Sequence, residues 1–287
     1  MRGVLALSLN KAERRAEALE IREENHRRTR IALGDKHPAT LTSMNNLAGV
    51  YTHSGRIKDA IPMLKEVLAG RLNLYGEGHQ RVLATMHSLG RAYQKSGQLA
   101  ESIEMLETTK DQTVTLLGSE HPSTLSVMVH LASAFMDDKR FDEGIPMMEQ
   151  ALDSSRKSLG NSHPQTLIVL HYLSGYLMKN GQFKEAEPLL KENALVQKET
   201  NPDGWMRFNV ESLYGNVLLQ QGKLEKAEEP LLSAYKGMKR IGIPLGREGS
   251  LANVVGLLKE LAEAKGESEQ AEKWQQELDE LKELDQP

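Results

Sequence analysis

Four histidines recur at one spacing. His37, His79, His121 and His163 lie 42 residues apart. A repeated imidazole is the residue type for a metal row or a proton relay. The spacing argues against both. One histidine per packed unit places neighbours roughly 10 Å apart, whereas a zinc–nitrogen bond is ~2 Å. Three of the four precede a proline, Pro38, Pro122 and Pro164. Proline at a first helical position loses no hydrogen bond, because that N–H has no partner anyway. The histidines therefore read as helix caps or inter-helix packing groups. His87 and His171 fall on an inner helix face a repeat or more apart, and no carboxylate recurs beside either. Asp35 and Asp137-Asp138 read as turn formers. No phosphate-cradling glycine cluster, nucleophile elbow, His-Glu-x-x-His or kinase signature occurs. The sequence predicts a chain that is not an enzyme and uses no cofactor and no metal.

The elements that position these residues come from an internal repeat. Leu33-Gly34-Asp35-Lys36-His37-Pro38 returns as Leu117-Gly118-Ser119-Glu120-His121-Pro122 and as Leu159-Gly160-Asn161-Ser162-His163-Pro164, with Tyr75-Gly76-Glu77-Gly78-His79-Gln80 between them. A fixed period in this range marks a solenoid of stacked units. Each unit reads as two helices. In the first, one runs from Pro38 to about His53, Ser54-Gly55 turns the chain, and a second runs from Ile57 to about Leu74, closed by Gly76 as a left-handed cap. Gly97, Gly181 and Gly222 repeat the turn, and Lys139 replaces that glycine in the third unit.

Within the helices the apolar positions keep register. Leu47, Leu89, Leu131, Leu173 and Tyr214 are followed by small residues Ala48, Gly90, Ala132, Ser174 and Gly215. The second helices place Ala60, Ser102, Gly144, Ala186 and Ala227 four residues before Leu64, Leu106, Met148, Leu190 and Leu231. This is one-face helical spacing. The small residues let paired helices approach, and the large ones fill the gap. Pro62, Pro146, Pro188 and Pro230 recur inside the second helices and predict a shallow bend there.

The composition agrees with a folded, polar-surfaced protein: 287 residues, 26% charged, 39% hydrophobic, net charge -4 and no cysteine. The balance argues against nucleic acid as a partner. No stretch approaches the ~18 apolar residues that cross a bilayer. The lack of cysteine fits a reducing, cytoplasmic setting. Residues 1–33 carry eight Arg/Lys against five acids, and residues 266–287 two Lys against eight acids. Both read as solvated helix faces.

The pattern resembles the tetratricopeptide repeat. The 42-residue period, the Leu-Gly-x-x-His-Pro join, the stretch Met44-Asn45-Asn46-Leu47-Ala48-Gly49-Val50-Tyr51 and the second-helix segments Glu185–Leu190 and Glu228–Leu232 resemble its kinesin-light-chain subtype. The resemblance implies an all-α, right-handed solenoid of antiparallel helix pairs. The expected organisation is an N-terminal helix or partial repeat at 1–33, in which Leu5, Ala6, Leu9 and Ala18 take the repeat's core positions. Five repeats follow over 34–75, 76–117, 118–159, 160–200 and 201–241. A degenerate capping pair at 242–287 is anchored by Trp274.

In this family the first helix of each unit lines a concave groove. Carried to this chain, the groove takes Asn45, His87, Arg91, Gln94, Lys95, Met136, His171, Met178, Lys179 and Asn216. An asparagine carboxamide bonds a peptide N–H and C=O together, and Asn45 matches the family's Asn-Asn-Leu-Ala motif. His87, Arg91 and Lys95 are four apart and predict a basic stripe on one helix, extended by Lys179 and Arg207. The expected function is a monomeric protein-interaction scaffold that holds a protein or peptide ligand, acidic-flanked, in the groove. Two other readings stand beside it. One is the interaction portion of a larger signalling protein, a kinase or nucleotide-switch regulator. The other is a transport adaptor of the light-chain type, although residues 1–33 lack sustained heptads.

Overall fold

A computed structural model describes residues 19–242 and 249–284 of the chain. The sequence reading of residues 1–18 and of the Pro244–Gly246 join lies outside them. The described residues are helical throughout, joined by short turns. The part of α1 described covers 19–33. Next come α2 (Pro38–His53), α3 (Ile57–Tyr75), α4 (Gln80–Lys95), α5 (Leu99–Leu117), α6 (Pro122–Asp137) and α7 (Phe141–Leu159). They are followed by α8 (Pro164–Lys179), α9 (Phe183–Thr200), α10 (Trp205–Gln220), α11 (Leu224–Ile241), α12 (Gly249–Lys265) and α13 (Ser268–Leu284). Two compact units are present, one ending at Val169 and one beginning at Leu170. Within the first, α2 to α7 pack in chain order, and α9 to α13 do so in the second. This is the all-α solenoid arrangement, each helix leaning on its chain neighbours.

The repeated histidines start the first helices. His37 Nδ1 accepts from the Ala39 amide, His79 from Arg81, His121 from Ser123 and His163 from Gln165, each at 3.1 Å. An imidazole here does what a Ser or Asp side chain does at an N-cap: it satisfies one orphan N–H of the first turn. Among the described residues, no group of His, Asp and Glu is placed to hold a metal.

The turn glycines all take positive φ, at 80° for Gly55 and Gly97, 76° for Gly181 and 71° for Gly222. Lys139 takes φ 62° in the same place, a conformation in which its Cβ crowds the following carbonyl. Lys139→Gly should therefore raise stability by about 1 kcal/mol and shift Tm upward by a few degrees. A lowered Tm would show that the side chain makes a compensating contact.

Gly76 departs from the expected left-handed cap. Its φ is 79° but its ψ is 172°, and Gly118 and Gly160 follow it. That is the extended, glycine-only region rather than αL. The reason is the join. The chain must leave the helix outstretched to reach the next histidine cap, so only the Gly76 amide closes back, on Leu72 O at 2.9 Å.

The small positions are close approaches. A Cβ on Gly90 or Gly215 would meet the Leu106 or Leu231 side chain within 3 Å. Ala48, Ala60, Ala132, Ala186 and Ala227 are fully buried, as are Leu64, Leu106, Met148, Leu190 and Leu231. Ser102 donates to Gly90 O at 2.8 Å, so this buried hydroxyl also ties α5 to α4. One residue assigned to the groove belongs to this core instead. Met136 is 2% exposed, and its Cγ lies where a Cβ on Gly144 would stand, 2.4 Å away. The missing side chain at 144 draws Met136 inward.

Candidate functional site

The first helices of the first unit, α2, α4 and α6, touch one another in sequence. Polar side chains pair across each of these contacts. His53 Nδ1 lies 2.7 Å from Gly49 O, and its Nε2 lies 3.3 Å from Arg91 Nη2. A backbone carbonyl only accepts, so the proton sits on Nδ1 and Nε2 accepts from the guanidinium. Further along α4, His87 Nε2 is 3.0 Å from His130 Nδ1, and His130 Nδ1 is 2.7 Å from Ser126 O. The same logic fixes this pair. His130 Nδ1–H donates to Ser126 O, His87 Nε2 is the acceptor beside it, and the His87 proton is on Nδ1. The rings meet edge to face at 4.8 Å.

Both imidazoles are neutral near pH 7. Burial pushes His87 well below the ordinary histidine value, aided by His130 and Arg91. Burial and Arg91 push His130 down to about 4, against the opposing bond to Ser126. The expected basic stripe of His87, Arg91 and Lys95 thus keeps two cations, not three. Gln94 is also committed: its Nε2 donates to Ser133 Oγ at 2.8 Å and to Asp137 Oδ2 at 2.7 Å. Asp137, expected in a turn, closes the last turn of α6 and adds an acid to this face. Lys95 is exposed. Asn45 is half-buried, and its Oδ1 is buried without a hydrogen-bond partner. Such an acceptor is uncommon in a folded protein.

In the second unit, Lys179 Nζ sits 4.7 Å above the Tyr176 ring, and His171 meets Tyr172 edge to face at 6.0 Å. Met178 is half-buried. Asn216 is half-buried too, with an unpartnered, buried Oδ1. Arg207 does not extend a basic stripe. Its Nε donates to Glu211 Oε1 at 3.0 Å and its Nη1 to Pro202 O at 2.6 Å. Ser233 of α11 donates to the other Glu211 oxygen at 2.7 Å. With Glu211 only 6% exposed, this is a buried tie between α10 and α11.

The structure thus joins Arg91, His87 and Gln94 through partners on α2 and α6. His130 was missed in the sequence, because it lies one position past the register equivalent of His87. The signal that could have found it is a histidine on the next first helix within one position of that register.

The tetratricopeptide repeat model matches residues 1–73, 46–112 and 123–192. The chain belongs to the tetratricopeptide repeat family. A Podosopora anserina protein of nearly identical TPR-like repeats, described as a kinesin light chain, is 30% identical, with a TM-score of 0.61 over 71% of this chain and 97% of its own. BtubC (BKLC) from P. vanneervenii shares the fold at 16% identity and TM-score 0.64, over 80% of this chain and 91% of its own. A Rap protein complexed with competence and sporulation factor shares it at 15% identity and TM-score 0.64, over 94% of this chain and 80% of its own. No curated protein matches the chain by sequence. Among the described residues no helix is long and apolar enough to cross a membrane.

Proposed function

We propose that this tetratricopeptide repeat chain is a non-catalytic scaffold that binds an extended peptide across α2, α4 and α6. The observation that carries this reading is Asn45. A carboxamide oxygen buried without a donor costs stability, and rotation of this half-buried side chain toward the face would let a ligand N–H supply one. An extended peptide presents N–H groups at the spacing such a side chain uses. Arg91 and Lys95, one helix further on, favour a ligand with acidic residues next to the bound segment, chiefly through faster association. Asp137 limits that preference to the α4 side of the face.

The test is selection of a displayed library of random peptides on the full chain, followed by anisotropy titration of the winners. Arg91→Glu with Lys95→Glu should weaken binding on the order of tenfold, about 1.4 kcal/mol, with helicity and Tm nearly unchanged. Asn45→Ala should weaken every winner regardless of its charge. Undiminished binding by both variants would remove this face as the site.

A further inference from the structure

The same three-helix interval occurs three times in the first unit, and the chain treats each one differently. Between α4, α5 and α6 lies a cavity of about 180 Å³. Its floor is Leu83, Thr113 and Val127, all buried. Its rim is Ser123, Ser126 and His87, and no charged residue lines it. One repeat earlier, the equivalent of Thr113 is Arg71. Arg71 is 5% exposed. Its guanidinium donates to Arg81 O at 3.0 Å, Thr85 Oγ1 at 2.8 Å and Thr42 Oγ1 at 3.4 Å. Residues 81, 85 and 42 are the register equivalents of Ser123, Val127 and Ala84, which border the open cavity. Arg71 therefore occupies in the first interval the space that is empty in the second. One repeat later the mouth is bridged instead: Gln165 Nε2 donates to Pro122 O at 2.9 Å, and these are the equivalents of Ser123 and Gln80.

We infer that the second interval is the chain's open specificity slot, taking one uncharged apolar side chain of leucine or methionine size from a bound extended polypeptide. Arg71 and Gln165 close the flanking intervals and so fix the register of the ligand. The inference rests on the peptide-binding reading above. The chemistry follows from the lining. An apolar floor rewards burial of an aliphatic side chain. A charged tip would lose its hydration with no counter-charge to meet it. The serine hydroxyls and the His87 Nδ1–H at the rim are left for the ligand backbone. A plug is the simplest account of a buried guanidinium held by three neutral acceptors.

The chain has no cysteine, so single thiols report on each interval. Ala84→Cys places one at the open slot, and Thr42→Cys places one at the same register of the plugged interval. Each variant is equilibrated at fixed reductant with small disulfides bearing isobutyl, thioether, carboxylate or ammonium tips, and mixed-disulfide yield is read by intact mass. On the Ala84→Cys chain the isobutyl and thioether tips should be retained about tenfold over the charged ones, as burial of an aliphatic group allows. On the Thr42→Cys chain no preference should appear until Arg71→Thr is added, when the same preference should emerge. Adding Thr113→Met to Ala84→Cys should abolish the preference there, and Tm of each variant shows that the fold is kept. Equal retention of all tips by the Ala84→Cys chain would overturn the slot. So would a preference on the Thr42→Cys chain that ignores Arg71.

Peptides selected on the parent chain then separate the two readings. They should share one central Leu or Met and lose about tenfold in affinity on Thr113→Met. Winners that bind Thr113→Met unchanged would overturn the slot as an anchor while peptide binding stands. A slot that discriminates the tips while no peptide is selected would overturn the peptide reading and, with it, the polypeptide occupant.

Discussion

Deletion of residues 266–287 is expected to unfold the end of the second unit while leaving α2 to α6 protected. The reason is what α13 covers. Trp274 meets Tyr235 edge to face at 5.1 Å and packs, with Leu281, against the cluster of Phe208, Leu251, Leu258 and Leu261. Tyr235 donates to Glu277 at 2.5 Å, and Lys239 bonds the same oxygen at 2.7 Å. Burial first, and then this carboxylate, hold the Tyr235 hydroxyl above its ordinary pKa. Removing the helix strips the apolar cover from α11 and α12 together and leaves Lys239 without its acid. Losing a single packed large aromatic side chain costs about 3–5 kcal/mol, and here a whole helix goes. In a solenoid that loss stays local, because each element leans only on its neighbours. Hydrogen exchange should show α10 to α12 losing protection by more than about a hundredfold, the equivalent of ~2.7 kcal/mol. Equal loss in α2 to α6 would contradict nearest-neighbour stability.

The helical frame was legible because the repeat writes it redundantly. The small-residue row, from Ala60 to Ala227, and the large-residue row, from Leu64 to Leu231, each give the same register. The capping histidines are marked by the prolines that follow three of them. What the repeat hides is where it is broken. Met136 reads as groove-lining by register, yet Gly144 across from it makes room that draws it into the core. Arg207 reads as a surface cation, but Glu211, one turn on, and Ser233 of the next helix enclose it. Arg71 has the sequence look of an ordinary solvated residue, and only the packing shows it filling a space that Thr113 leaves empty. The pairing of His87 with His130 needs residues 43 apart on two helices. A register list compares equivalent positions 42 apart and so passes over it.

That pair should make the protein acid-sensitive in a defined window. His130 titrates at about 4 in the folded chain, and His87 is also held well below the ordinary value. An unfolded histidine titrates near ~6.5. Between these values the unfolded chain binds more protons than the folded one, so stability rises with pH there. The contribution is fully present above about pH 6.5 and is lost as pH falls toward about 4. For His130 alone the displacement is worth up to about 3 kcal/mol, and His87 adds in the same direction. The surroundings do not reverse the sign. Arg91, His53 and Lys95 all oppose a second positive charge at His130, and the carboxylate on this face, Asp137, accepts from Gln94. His87→Gln with His130→Gln keeps polar side chains of similar size and removes both titrations. Urea midpoints taken from pH 7.5 down to 4 should fall more steeply for the parent chain than for the variant, the curves separating below about pH 6.5. Comparing the two chains cancels every group they share. Parallel curves would mean that these imidazoles charge as easily in the folded chain as in the unfolded one, and the neutral, edge-to-face pair would then be the wrong description of this face.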